Sequence, residues 1–237
     1  MLQSTKQIDL LGEAIRTDTM TPADWKLLHL MRGTWRIAFI DLQATLRQRF
    51  GSHNYKVTGR LKNYRTIREK LIRTNLRLSQ IRDIIGCRIV IPNSYEIQDS
   101  VVTEILALHL NGGYRIIDRR VIPNHGYRAV HIELRQDGLI FEVQVRTQLQ
   151  DFWATTSEAF GELVGRGFRY GLGLELDQFS VHAKSLIHQI ATGLDESSKK
   201  IGKVGYDHNL LALNEIAEIE QQLFVIKSLM SETDWSL

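Results

Sequence analysis

Apolar residues recur near helical spacing at Trp25, Leu28, Met31, Trp35 and Phe39, which predicts a helix over residues 23–49. Thr21-Pro22 supplies a cap residue followed by an early proline, whose missing N–H costs nothing in a first turn. A short strand is expected over 55–59 and a helix over 62–77. The β-branched run from Ile84 to Ile91, ended by Pro92, predicts a strand. Residues 95–110 return to helical spacing until Gly112-Gly113 breaks it. Three strands are expected at 114–122, 127–135 and 139–146, the last two joined by the turn pair Asp137-Gly138. Helices follow at 148–164, about 175–200 and 208–231, after an irregular connection marked by Gly165, Gly167, Gly171 and Gly173. This order predicts an α+β fold, a mixed β-sheet flanked by helices with extra N- and C-terminal helices. Its expected organisation is an N-terminal helical flank over 1–50, a core over 51–165 and a C-terminal helical extension over 166–237.

Several of these elements carry polar groups where an ordinary half-buried element shows solvent a miscellany. Along Glu142-Val143-Gln144-Val145-Arg146, the valines face one way and the carboxylate, amide and guanidinium the other. Tyr127 and His131 share one strand face, with Val130, Ile132 and Leu134 on the opposite one. On the helix expected over 62–77, Lys62, Thr66, Lys70, Arg73 and Arg77 form one stripe, with Tyr64, Ile67 and Leu71 behind it. Such a stripe is either a solvated basic face or a grip on something anionic. Arg60, just before it, favours a polyphosphate near the helix N-terminus. Asp83 enters the next strand as an isolated acid, either a strand-entry ion pair or a ligand for Mg²⁺ carried with a triphosphate, with Glu142 as the second carboxylate. Strict alternation from Asp83 places Arg88 on the opposite face, so joint service in one site requires an irregular strand entry. Tyr127 is suited to stacking on a base, and His131 to contact with a ligand or to a structural role.

Composition narrows the partners. Of 237 residues, 43% are hydrophobic and 24% charged, ordinary values for a globular chain. The net charge of +3 hides an asymmetry, a basic middle from Arg60 to Arg88 and an acidic C-terminal stretch. A basic middle points to phosphate-bearing ligands or nucleic acid. No apolar run approaches the ~20 residues of a membrane span. Met1-Leu2-Gln3-Ser4-Thr5-Lys6 lacks the apolar core of a secretory signal, and the single cysteine, Cys87, fits a reducing compartment, so a cytoplasmic protein is expected. Cys87 lies in an apolar run and reads as a buried small hydrophobe. There is no G-x-x-x-x-G-K-[ST] phosphate loop and no Cys/His cluster for zinc, and Ser157 and Ser180 lack a nucleophile-elbow context.

The motifs, taken in order, resemble the RelA/SpoT family of alarmone synthetases. The resemblance runs from about Tyr55 to Glu158. It rests on Gly59-Arg60-Leu61-Lys62 with Thr66 and Lys70, Asp83-Ile84-Ile85-Gly86-Cys87-Arg88, Gly126-Tyr127-Arg128-Ala129-Val130-His131, Glu142-Val143-Gln144-Val145-Arg146-Thr147, and Trp153-Ala154. It implies a nucleotidyltransferase-like mixed sheet and transfer of pyrophosphate from ATP to the 3′-hydroxyl of GDP or GTP, releasing AMP. By motif, Arg60, Lys62, Thr66 and Lys70 would hold ATP, with Arg88 supporting. Asp83 and Glu142 would hold Mg²⁺, with Glu142 also placed to deprotonate the hydroxyl. Tyr127 would stack on the acceptor base, joined at the acceptor side by His131, Gln144 and Arg146. The chain lacks the family's His-Asp hydrolase motif and so resembles its small, synthesis-only members. It also departs from the pattern before Gly126, where many members carry an Asn-Pro-Lys-type segment and this chain has Asp118 to His125. Arg119 and Arg120 there add cations of the kind a longer nucleic acid requires. Some small members are toxins that modify the 3′ CCA end of tRNA or make an adenine alarmone, and are restrained by an antitoxin. That alternative stands beside the guanine-nucleotide reading, and a non-enzymatic RNA-binding module is the remote third. The seam Ala212, Ile216, Ile219, Leu223, Ile226 and Met230 predicts packing on the chain's own helices, a homo-oligomer contact or docking of a partner.

Overall fold

The computed structural model describes residues 4–108, 113–165, 167, 181–204 and 210–233. Seven α-helices and five strands are described, in the order α1 (Thr5–Thr17), α2 (Pro22–Phe50), β1 (Lys56–Leu61), α3 (Tyr64–Thr74), β2 (Ile85–Ile91), α4 (Tyr95–Ala107), β3 (Tyr114–Asp118), β4 (Val130–Gln136), β5 (Leu139–Thr147), α5 (Gln148–Val164), α6 (Val181–Val204) and α7 (Leu210–Glu232). The strands form one sheet in the order β1-β2-β5-β4-β3. Backbone contacts group the chain into two compact units. The first comprises Met1–Ile89, Thr103–Ile116 and His131–Gln144, and the second Val90–Val102, Ile117–Val130 and Val145–Leu237.

Local chemistry sets most boundaries. Thr21 caps α2 with Pro22 in the first turn and Asp24 closing a reciprocal capping box. Thr147 and Gln150 do the same for α5. Asp137 (φ 50°) and Gly138 (φ 73°) both take left-handed backbone, the two-residue turn that matches strand twist and locks the β4–β5 register. Helix α1 is absent from the sequence reading, which assigned 1–50 only as a helical flank. Its signals are the Ser4 capping box with Gln7 and the buried stripe Leu11 and Ile15.

The basic helix is shorter than expected. Asn63 caps α3, its side chain accepting from Thr66 N, and Asn75 ends it in left-handed backbone. Lys62 therefore precedes the helix, its N–H donating to Ile84 O at 2.9 Å. Arg77 follows it and pairs with Asp9 at 3.6 Å. Of the expected stripe, Thr66, Lys70 and Arg73 remain on α3; Ile67 and Leu71 behind them are buried. The strand expected over 114–122 stops at Asp118, and that expected over 127–135 begins only at Val130. Between them an Asn124–Tyr127 bridge closes a turn through His125 (φ 50°) and Gly126 (φ 83°). The helix expected from about 175 is described from Val181 onward, and the preceding residues lie outside the described ones, as do 109–110 of the expected 95–110 helix.

In the first unit, Leu42, Leu46, Phe50, Ile67, Leu71 and Ile89 are buried in the core. Gly59 permits close approach there, since a Cβ would lie 2.7 Å from the Phe39 ring and 3.0 Å from Gly86 O. Cys87 is buried, and burial pushes its thiol up to about 12, so it behaves as a small apolar side chain. In the second unit, α5, α6 and α7 share a core of Trp153, Phe160, Ile190, Leu194, Ile219, Leu223 and Ile226. The α7 seam is thus consumed by the chain's own helices, with Ile216 and Met230 partly buried at its ends; the side chain of Ala212 lies outside the described residues. Leu223 is 0% exposed. Leu223→Ala is expected to destabilise the protein by about 2–5 kcal/mol, through lost transfer energy and a residual cavity, read as a lower urea midpoint. An unchanged midpoint would show that α7 contributes little to this core.

Candidate active site

In the first unit, two carboxylates are held among cations. Asp83 lies just before β2, outside its alternation. Its Oδ2 is 3.3 Å from Lys62 Nζ, at the end of β1, and its Oδ1 accepts from Lys70 Nζ of α3 at 2.7 Å. The side chains of Lys62, Asp83 and Lys70 are 10%, 18% and 21% exposed, so these charges are well withdrawn from water. Burial lowers the Lys62 pKa, with Arg60 and Lys70 adding to the effect and Asp83 opposing it.

Glu142, on β5, accepts from His131 Nδ1 at 3.0 Å when that nitrogen carries the proton and from Gln144 Nε2 at 2.7 Å. Burial raises its pKa, but the His131 hydrogen bond and charge, Gln144 and the Lys70 ammonium outweigh that and hold the carboxyl at about 2. Lys70 is thus the cation common to both acids: it bonds Asp83 and stabilises ionised Glu142 electrostatically. Arg60 is exposed on β1. Thr66 donates its hydroxyl to Asn63 O at 3.0 Å in the first turn of α3. Arg88 lies on the less buried face of β2 with Gly86. Because Asp83 precedes the strand, the expected conflict of alternation does not arise. Counting back from the two-residue turn places Glu133 opposite Glu142 on the His131 face, and Glu133 is buried. The sequence reading passed over Glu133, although counting across Asp137-Gly138 would have found it.

In the second unit, Arg146 is 3% exposed and held from two sides. Its Nη1 donates to Asp151 Oδ1 at 3.0 Å and its Nη2 to the Tyr127 hydroxyl at 3.1 Å, and its guanidinium carbon is 5.0 Å from the Tyr127 ring centroid. Asp151, in the first turn of α5, was also missed; an acid at the start of the helix after β5 was its signal. Arg120 is already occupied, pairing with Asp99 at 2.7 Å and Asp118 at 2.6 Å over the Tyr95 ring. Burial works to lower its pKa, but the two carboxylates raise it. Arg119 donates its backbone N–H to Ala129 O at 2.9 Å.

Residues 59–160 match the family model for a region found in RelA/SpoT proteins. An uncharacterized protein of Mycobacterium tuberculosis is 37% identical over 174 residues, covering 70% of this chain and 62% of that protein. The chain thus spans 62% of the length of this mycobacterial relative. The GTP pyrophosphokinase YjbM of Bacillus subtilis is 28% identical over 150 residues, 57% of this chain and 69% of that protein. The crystal structure of small alarmone synthetase 1 from Bacillus subtilis superposes with a TM-score of 0.58 at 18% identity, covering 84% of this chain and 99% of that one. The same enzyme bound to its product pppGpp gives 0.56 at 19%, covering 83% and 98%. The five-stranded mixed sheet with flanking helices is therefore the small alarmone synthetase fold.

The Glu142 pKa carries a stability prediction. A carboxyl depressed from 4.5 to about 2 in the folded state contributes stability that is complete above about pH 4.5 and is lost as pH falls toward 2. The loss expected over that window is on the order of 1–3 kcal/mol. Urea midpoints at pH 5 and pH 3 should fall less in Glu142→Gln than in the wild type; an equal fall in both would refute the assignment.

Proposed function

We propose, from the premise that residues 59–160 are a RelA/SpoT region, that the protein is an ATP-dependent pyrophosphokinase acting on a guanine nucleotide. The observation that carries this reading is the cluster Lys62, Lys70, Asp83 and Glu142, in which Lys70 serves both acids. Such a cluster suits a substrate that brings its own negative charge. Incoming phosphates compete for the lysines and free the carboxylates for a cation.

In the reaction, the 3′-oxygen of the acceptor attacks the β-phosphorus of ATP. The bond from that phosphorus to the bridging α–β oxygen breaks, AMP leaves, and the hydroxyl proton passes to a carboxylate, the role the resemblance gives Glu142. Lys62 and Lys70, with Arg60 nearby, offset charge on the transferred group. Asp83 and Glu142 would hold Mg²⁺; two carboxylates completed by substrate phosphates are the oxygen set that ion prefers, and the ion would polarise the phosphate under attack. His131, Gln144 and Lys70 keep the Glu142 carboxyl ionised, as both a cation ligand and a proton acceptor require. His131 and Gln144 keep Glu142 oriented. Tyr127, braced by Arg146, offers an aromatic surface for the acceptor base. The tRNA alternative drew on Arg119 and Arg120 as added cations near the acceptor. Arg120 is neutralised by Asp99 and Asp118, which favours the smaller nucleotide.

No helix among the described residues is long and apolar enough to cross a membrane. Docking of an antitoxin remains part of the toxin alternative.

The acceptor assay uses β-labelled and γ-labelled ATP with GDP, GTP, ATP or tRNA. Both labels are expected to appear in a guanine nucleotide. Label found only in tRNA would overturn the acceptor assignment, and transfer of γ alone would mark a plain kinase. Glu142→Gln should fold and lose transfer by about 10²-fold or more, as expected when a group that stabilises only the transition state is lost. Retained turnover would remove Glu142 from the mechanism.

A further inference from the structure

The loop that carries Tyr127 is held by burial only in part, where Tyr127 packs against the α5–α7 core. Val121 and Ile122, near its start, are 70% and 73% exposed. Its shape is also tied to α5, α6 and β5 at three consecutive residues. Gly126 O accepts from Ser198 Oγ of α6 at 2.5 Å. Gly126 also rests against Trp153, where a Cβ would lie 2.7 Å from the indole, and its φ of +83° is one that side chains resist. Trp153 is itself anchored to α6, its Nε1 donating to Leu194 O at 2.6 Å. Tyr127 is braced by Arg146. Arg128 donates from Nε to Ser198 O at 2.9 Å and from Nη1 to Arg120 O.

Leu194, Ser198 and Gly202 are spaced by four and so lie on one stripe of α6. Gly202 is what lets the guanidinium lie flat there. A Cβ at that position would be 2.6 Å from Arg128 Cζ and 2.7 and 2.8 Å from its two terminal nitrogens. The fork geometry of arginine reaches two carbonyls at once, which a lysine ammonium on a single stem does not reproduce. A cation near the C-terminal end of α6 is also favoured by the helix dipole.

We propose that α6 positions the acceptor loop through Arg128, making Arg128, Ser198 and Gly202 positioning residues that set acceptor affinity. The proposal rests on the pyrophosphokinase reading for what the loop binds, but not for the latch itself. It assigns the C-terminal helices a part in substrate selection rather than in packing alone.

Gly202→Ala is the sharpest test, because alanine is the better helix former and the variant should remain folded. In Gly202→Ala and in Arg128→Lys, the acceptor KM is expected to rise about tenfold, the scale of one lost charge-assisted hydrogen bond. The ATP KM and kcat at saturating acceptor should be retained, and the thermal midpoint should fall by only a few degrees. Amide hydrogen exchange over residues 119–130 should quicken in both variants. Unchanged exchange in that segment would overturn the latch. So would an equal loss toward both substrates together with a much lower midpoint, which marks a structural role only. If the wild-type protein transfers nothing to any acceptor, the function reading fails while the exchange measurement still decides the latch.

Discussion

The first unit is governed by the cost of withdrawing charge from water. Asp83 and Glu142 are mostly buried, and a buried carboxylate is tolerated only when cations and donors replace its solvent. Lys70 supplies that replacement for both, with Lys62 completing Asp83, and His131 and Gln144 completing Glu142. The cap at Asn63, the ladder bond from Lys62 to Ile84 and the tight turn at Asp137-Gly138 read as the backbone conditions for this arrangement. Each sets the register from which one of these side chains projects.

A second constraint operates in the other unit. There the ordering of a polar loop depends on a helix far along the chain. The interior of α5, α6 and α7 supplies the hydrophobic energy, and α6 supplies the Ser198 hydroxyl that holds Gly126 and the Ser198 carbonyl and bare Gly202 that receive Arg128. The buried face of α6, with Ile190, Leu194 and Ile201, fixes its place in this core and so the place of the groups that meet the loop.

The local features were readable directly. The Thr21-Pro22 start, the Ile84–Ile91 strand, the hairpin turn and the span of α5 follow from short-range rules of capping, β-branching and turn chemistry, and they reappear with small shifts. The motif segments also named the carboxylates and cations that gather in the first unit. What was misread locally was a boundary problem. Extending α3 to Lys62 and Arg77 followed the spacing of the cations and overlooked the two asparagines that end the helix.

Long-range partnership was not readable, because nothing in spacing says which charge a side chain will meet after the chain returns. Arg120 read as a cation for the acceptor side and is paired with Asp99 and Asp118. His131 looked like a ligand contact or a structural residue and stands on Glu142. The α7 seam was compatible with packing on the chain's own helices, with a second copy or with a partner, and it packs on α5 and α6. Periodicity and residue type therefore marked most of the elements and the residues with chemistry to offer, since both act within a few residues. Which acids share a lysine, and which glycine makes room for Arg128, were decided by tertiary packing, since desolvation and close contact exist only once distant segments meet.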